Sequence, residues 1–155
     1  MQWPDARLCR LLGVEHPIIQ SPMVGPATPA LVIAVSTAGA LGSLGCAEMG
    51  LDELREAVST IRAGTDRAFN LNFFVNPAPV HDGEVWEQTR RRLVPWYERL
   101  GLGEPPATPS AAQPGFDDAR LQLLLEFRPP VVSFHFGPPE PSAVAALQRN
   151  GIVVL

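Results

Sequence analysis

The sequence contains no lysine; all 12 of its basic residues are arginine. That absence excludes a P-loop lysine for phosphate and a Schiff-base lysine for pyridoxal phosphate or a carbonyl substrate. Cysteine is scarce, and Cys9 and Cys46 form neither a disulfide framework nor a metal pattern. His16, His81 and His135 lie far apart, without the i, i+4 pairing of a helical metal site. The longest apolar run, around Leu31 to Val35, is far too short to span a bilayer. The first ten residues carry Pro4 and Asp5 and no continuous apolar segment, so they do not read as a signal peptide. Positive charge is also in deficit: 12 basic against 16 acidic residues give −4. Binding a polyphosphate needs a surplus of cations, so nucleic acid is not an expected partner. The one basic run, Arg90-Arg91-Arg92, reads as a solvated helix face. The expectation is a soluble, cytoplasmic protein with no membrane partner.

Hydrophobic residues make up 46% of the 155 and charged residues 18%, enough apolar surface for the core of one domain or part of one. Apolar runs bounded by Gly and Pro place strands at Pro17–Met23, Ala40–Gly45, Phe69–Val75, Pro130–Gly137 and Ile152–Leu155. Helical periods lie between them. Thr28 serves as N-cap and Pro29 as first residue of one helix, which Gly39 closes. A second runs from Leu51 to Ala63, with Leu51, Leu54, Val58 and Ile61 on one face. Two more cover Asp117–Phe127, with Leu121, Leu124 and Leu125 facing inward, and Glu140–Arg149. The period breaks at an insertion of about 76–115, where a helix over 84–100 carries Trp86, Leu93, Trp96 and Leu100 and Pro95 is expected to bend or split it.

Alternating strands and helices imply a parallel sheet covered by helices. Two architectures fit, an open doubly wound sheet or a (β/α)8 barrel. Met23, Asn72 and His135 fall at C-terminal strand ends, where barrels keep their chemistry, and this favours the barrel. A barrel needs about 200 residues or more. The expectation is therefore a partial (β/α)8 barrel: about the first four βα units, the start of strand five, and part of a longer protein. The insertion follows the third strand's C-terminal end and is expected to cover one side of the barrel mouth.

The candidate site residues follow from chemistry at those strand ends. Pro22-Met23-Val24-Gly25 offers backbone amides and a soft thioether, a surface suited to a flat heteroaromatic ring; the alternative is a turn with a core methionine. Asn72 is an amide in an apolar strand and needs partners, from a ligand's ring edge or a neighbouring loop. Asn70 lies on the same face, one pleat deeper. His135, between Phe134 and Phe136, is either a hydrogen-bonded core residue or a group that binds an anion or moves a proton. His16 and His81 read as surface residues. Gly39–Gly45 does not match G-x-G-x-x-G, which excludes a Rossmann fingerprint. Cys46 reads as a small buried thiol.

The ordered set of segments resembles the nitronate monooxygenase family, formerly called 2-nitropropane dioxygenases. The matching pieces are Leu12–Gly25, Thr28–Val32, Ala38–Gly45, Phe69–Phe74 and Val131–Gly137, spanning nearly the whole chain. The resemblance implies an FMN-dependent (β/α)8 barrel that oxidises nitronates with dioxygen. It implies that Pro22, Met23 and Val24 line the flavin, that Asn72 bonds it, and that His135 stands near the substrate. A nitronate is already a carbanion equivalent, so it can give up an electron without prior proton removal. The family's later Gly-Gly-His segment, whose histidine is taken as catalytic base, and its glycine-rich phosphate loops have no match in residues 1–155. The chain by itself is accordingly expected to hold FMN weakly and not to turn over. Two other readings compete: an FMN barrel reducing enoyl thioesters with a nicotinamide donor, and a noncatalytic half-barrel that self-associates over its open sheet edge.

Overall fold

The computed structural model describes residues 3–76, 82–108 and 115–155. The chain divides into two compact units, Met1–Asn76 with Pro114–Leu155, and Pro77–Gln113. The larger unit is an α/β fold built on a four-stranded parallel sheet. Its strands are β1 (Gly42–Gly45), β2 (Phe69–Phe74), β3 (Val131–His135) and β4 (Val153–Val154), paired in chain order. Its helices are α1 (Arg7–Leu12), α2 (Pro29–Thr37), α3 (Leu51–Gly64), α5 (Asp118–Phe127) and α6 (Pro141–Arg149). The smaller unit holds α4 (Gly83–Leu100).

Residues alternate strictly between the two sheet faces. Leu44, Phe69, Leu71, Phe73 and Val132 point to one side. There they form the main core with Val32 of α2, Leu54, Val58 and Ile61 of α3, Leu123 and Leu124 of α5, and Leu147 of α6. Each fully buried Leu, Val or Ile is worth roughly 1.5–3 kcal/mol. All four of these helices therefore cover the same face. The strand order β1-β2-β3-β4 shows no reversal, whereas a doubly wound sheet has one.

The opposite face is graded. At its N-terminal end Leu12 of α1, Leu41 and Val131 form a small apolar cluster, with Leu8, Val14, Ala68 and Val153 packed on it. Helix α1 thus floors this face. Sequence reading missed it because six residues hold under two turns, too few for a period. Gly13, left-handed at φ 69°, ends it. Above this floor the face turns polar.

Several elements follow their sequence signals. The Thr28 hydroxyl accepts the Leu31 N–H, and Pro29 opens α2. Gly39 adopts φ 88° just past its end. Two expectations need correction. The Pro17–Met23 segment is not a strand: it touches the sheet through one parallel bridge, Ile19 to Leu41. Its backbone makes two rungs, from Leu41 N–H to Ile18 O and from Gln20 N–H to Leu41 O, both 2.9 Å. The next rung is taken by the Gln20 side chain, whose Oε1 accepts the Ser43 N–H at 2.9 Å. The main chain after Gln20 is thereby released from the ladder. Second, α4 runs unbroken through Pro95. Proline deletes one intrahelical bond, and on an exposed helix water can serve the freed carbonyl. No residue of α4 is buried, Trp86, Leu93, Trp96 and Leu100 included. The Trp86 indole N–H donates to Ala107 O at 3.0 Å. His81 lies outside the described residues. Glu87 receives Arg90 and Arg91, and those guanidiniums hold its carboxyl below the usual range.

In α5 the inward residues are Leu123 and Leu124, with Leu121 and Leu125 only partly buried. Arg120 is buried as well. It donates to Asp117 Oδ2 and to Met49 O, each at 3.1 Å, tying α5 to the turn after β1. Asp117 also caps the helix, accepting the Arg120 N–H at 2.9 Å. Asp117→Ala should cost about 2 kcal/mol in urea denaturation, from the lost cap and from a buried arginine left without its carboxylate. Asp117→Asn keeps the cap and should cost about half as much. Equal losses would show that the cap contributes nothing.

Candidate functional site

The polar part of the open face is assembled by register. Ser43 pairs with Asn70, Gly45 with Asn72, Asn72 with Ser133, and Phe74 with His135. In a parallel sheet paired residues point the same way, so these side chains share one face. Ser43, Asn70 and Asn72 are fully buried, and such groups need partners. Asn70 Nδ2 donates to Ser133 Oγ at 2.8 Å and to Ser43 Oγ at 3.2 Å. Asn72 Nδ2 lies 2.8 Å from Ser133 Oγ, 3.2 Å from Ser133 O and 2.9 Å from His135 Nδ1. The Oδ1 atoms of both asparagines are buried and have no hydrogen-bond partner among the described residues.

Register also sets the neighbouring loop. A Cβ on Gly45 would lie 2.8 Å from Val24 N, 2.9 Å from Met23 C and 3.0 Å from Pro22 O. The Pro22–Val24 backbone therefore rests directly on Gly45, the register partner of Asn72. Met23 is 41% exposed, so it is not the core methionine of the alternative reading. On the far side His135 is exposed. The rings of Phe74 and Phe136 meet edge to face at 4.9 Å, and Phe74 stands 6.1 Å from the His135 ring. Phe136 has φ 70°, a left-handed backbone that disfavours bulky residues, and is 70% exposed. Strain of this kind persists where surroundings impose it, commonly at functional sites.

Of the residues singled out from sequence, the structure thus brings Pro22, Met23, Val24, Asn72 and His135 into one strip across adjacent C-terminal strand ends. His16 lies apart, edge-on to Trp3. Ser43, Ser133, Gly45 and the Gln20 side chain were missed. The signal for the serines was available: small polar residues at the same alternation as Asn70 and Asn72. A cavity of about 360 Å³ lined by Phe134, Val144, Gln148 and Val154 belongs instead to the helix-covered side. Burial pushes the Cys46 thiol up to about 12, against the opposing pull of the Asn72 backbone amide and the Arg120 charge. Iodoacetamide at pH 8 should then label Cys9 alone in the native chain and both cysteines after unfolding. Rapid double labelling of the native chain would refute the inert assignment.

A parallel α/β sheet that gathers polar and aromatic side chains at the C-terminal ends of its strands has them where enzymes built on such sheets keep their sites. The family follows from comparison with known proteins. The nitronate monooxygenase family model matches residues 5–155, and the chain belongs to that family. It is 43% identical over 150 residues to a nitronate monooxygenase of Paraburkholderia phytofirmans, covering 96% of this chain and 41% of that protein. It is 41% identical over 151 residues to one from Pseudomonas aeruginosa, covering 96% and 43%. Among solved structures, a nitroalkane oxidase from Streptomyces ansochromogenes superposes with TM-score 0.75 at 32% identity, over 91% of this chain and 40% of that one. FabK from Thermotoga maritima gives 0.64 at 30% identity, over 96% and 35%. The chain thus spans about two-fifths of the length of the curated relatives it matches. No helix among the described residues is long and apolar enough to cross a membrane.

Proposed function

We propose that this sheet is one arc of a (β/α)8 barrel and that its polar strip is the ring-facing part of an FMN site for nitronate oxidation by dioxygen. The observation that carries this is Asn72 Oδ1, buried and without a hydrogen-bond partner among the described residues, beside the Pro22–Val24 loop. An orphaned buried acceptor costs about 1–3 kcal/mol, and an N–H from a ligand ring removes that cost. A flavin carries such an N–H on a flat apolar body, so the residues present fit it. When bound, FMN would take electrons from the nitronate and pass them to dioxygen.

The chain's own residues supply binding and orientation. Pro22, Met23 and Val24 would flank the ring through backbone and thioether, and Asn72 would accept from its edge. His135 would stand at the substrate, whose negative oxygens call for a donor. Phe74 and Phe136 would exclude water above it. Holding the FMN phosphate falls, by the family resemblance, to segments outside residues 1–155. The free thiols Cys9 and Cys46 support a reducing, cytoplasmic setting.

The test is a graft of residues 1–155 in place of the matching segment of the Paraburkholderia relative. The hybrid should purify with FMN, consume oxygen with the nitronate of 2-nitropropane, and ignore NADH and NADPH. Rapid flavin reduction by either nucleotide, with no nitronate-dependent oxygen uptake, would replace this reading with a nicotinamide-dependent reductase.

A further inference from the structure

We infer that Asn72 is a positioning residue that fixes His135 as the Nε2–H tautomer, so that the ring presents a hydrogen-bond donor, not a base, at the sheet's C-terminal edge. The argument starts from a main-chain atom. Ser133 O can only accept, and it lies 3.2 Å from the amide atom of Asn72 that also faces His135. That atom is therefore the nitrogen. The flipped amide would set its oxygen against a carbonyl oxygen, acceptor on acceptor. Nδ2 brings two hydrogens, and its nearest neighbours are Ser133 Oγ at 2.8 Å and His135 Nδ1 at 2.9 Å. A donor facing Nδ1 requires a lone pair there. The proton of the neutral ring must then sit on Nε2. The tautomer follows from the heavy-atom network.

The network cannot easily rearrange. Asn72 is fully buried, and its Cα partner across the sheet is Ser133, so the amide has one place to reach. Asn70 Nδ2, 2.8 Å from the same Ser133 hydroxyl, holds that hydroxyl from the other side. His135 by contrast is exposed, which leaves Nε2–H accessible to a ligand.

What the donor serves rests on the flavin and nitronate reading; the tautomer itself does not. A nitronate arrives deprotonated, so a base beside it has no proton to remove. Protonation on its carbon would return the nitroalkane. A neutral N–H donor stabilises the anionic oxygens while holding its proton. Asn72 then acts twice, through Nδ2 on the histidine and through its unpartnered Oδ1 on the ring.

The experiment needs neither flavin nor substrate. The full 155-residue chain is labelled with 15N-histidine and read by long-range 1H–15N correlation at about pH 8.5, well above the ordinary histidine pKa of about 6.5. His135→Gln identifies the resonances. The expected result is an unprotonated Nδ1 and a protonated Nε2 for His135. In Asn72→Asp the carboxylate can only accept, so Nδ1 should gain a proton while the backbone spectrum stays native elsewhere. An Nδ1–H tautomer in the unsubstituted chain would overturn the inference. So would a folded Asn72→Asp chain with the pattern unchanged. If Asn72→Asp does not fold, the spectrum of the unsubstituted chain decides alone, because it reads the tautomer directly. An Nε2–H tautomer in a chain whose graft oxidises no nitronate would sink the proposed function and leave the tautomer standing; the reverse pair of results would do the opposite.

Discussion

Gly42→Ala is expected to destabilise the larger unit by about 3 kcal/mol, the upper end of the usual cost of overpacking a core. A Cβ at this position would lie 2.3 Å from Val32 O, 2.7 Å from Ser36 Oγ and 2.9 Å from Val32 Cα. Two of those atoms are helix backbone, which no rotamer change can move. Val32 is wholly buried, so α2 must shift as a body and open its contacts with β1. The shift would also stretch the bond from Gly42 N–H to Ser36 Oγ, already 3.3 Å. Gly64→Ala is the control. Its Cβ would meet Ile33 Cδ1 at 2.5 Å, Cγ1 at 3.0 Å and Cγ2 at 3.2 Å, all side-chain atoms of one half-buried residue and none of them backbone, and alanine gains up to about 1 kcal/mol of helix propensity against that crowding. Thermal melts should show Gly42→Ala lower by roughly 6–12 °C and Gly64→Ala near the unsubstituted chain. A Gly42→Ala melt within a degree or two of the parent would mean that α2 is not seated as tightly as these contacts require.

That glycine also shows what a sequence withholds. The β1 segment was readable as a short apolar run with glycines, and β2, β3 and β4 as runs bounded by Gly and Pro. Their parallel pairing followed from alternation with helices. Which glycine is needed for space, and which only ends an element, depends on what packs above it. Nothing in Gly42-Ser43-Leu44-Gly45 says that α2 presses on the first glycine and the 22–24 loop on the last. The Pro17–Met23 segment shows the same limit. Its composition is strand-like, and the reason it leaves the sheet is one side-chain amide, Gln20, substituting for a backbone rung. Helix α1 was invisible for want of length. Helix α4 continues through Pro95, because the carbonyl that the proline leaves unbonded lies on an exposed helix.

The candidate site divides the same way. Asn72 and His135 stood out because a polar side chain in an apolar strand must be explained. Ser43 and Ser133 share the alternation of Asn70 and Asn72, a weaker signal because a serine is small enough to need no explanation in a strand. Only the register, Ser43 with Asn70 and Asn72 with Ser133, shows that the four form one network. Arg120 was hidden for a different reason. An arginine on a helix reads as surface until its partners, Asp117 and Met49 O, are placed beside it.

Gly45→Ala should have the opposite signature to Gly42→Ala: little loss of stability and a large loss of function. The atoms its Cβ would meet, Val24 N, Met23 C and Pro22 O at 2.8–3.0 Å, are backbone, but of a loop. The sheet ladder does not hold that loop beyond the two rungs at Ile18 and Gln20. It can lift by several tenths of an ångström without opening the main core, so the melting loss should correspond to about 1 kcal/mol. The same lift moves the backbone proposed to flank the flavin away from Asn72, because Gly45 is the register partner of Asn72. Displacements of about 1 Å in a positioned site cost on the order of 100-fold in rate, so a lift of several tenths should cost on the order of 10-fold. In the Paraburkholderia graft, Gly45→Ala should therefore retain its melting temperature within a few degrees, lose FMN during purification, and show nitronate-dependent oxygen uptake lower by about that factor at saturating FMN. Full flavin occupancy with unchanged turnover would mean that the loop over Gly45 does not touch the ring, and would remove Pro22, Met23 and Val24 from the proposed site.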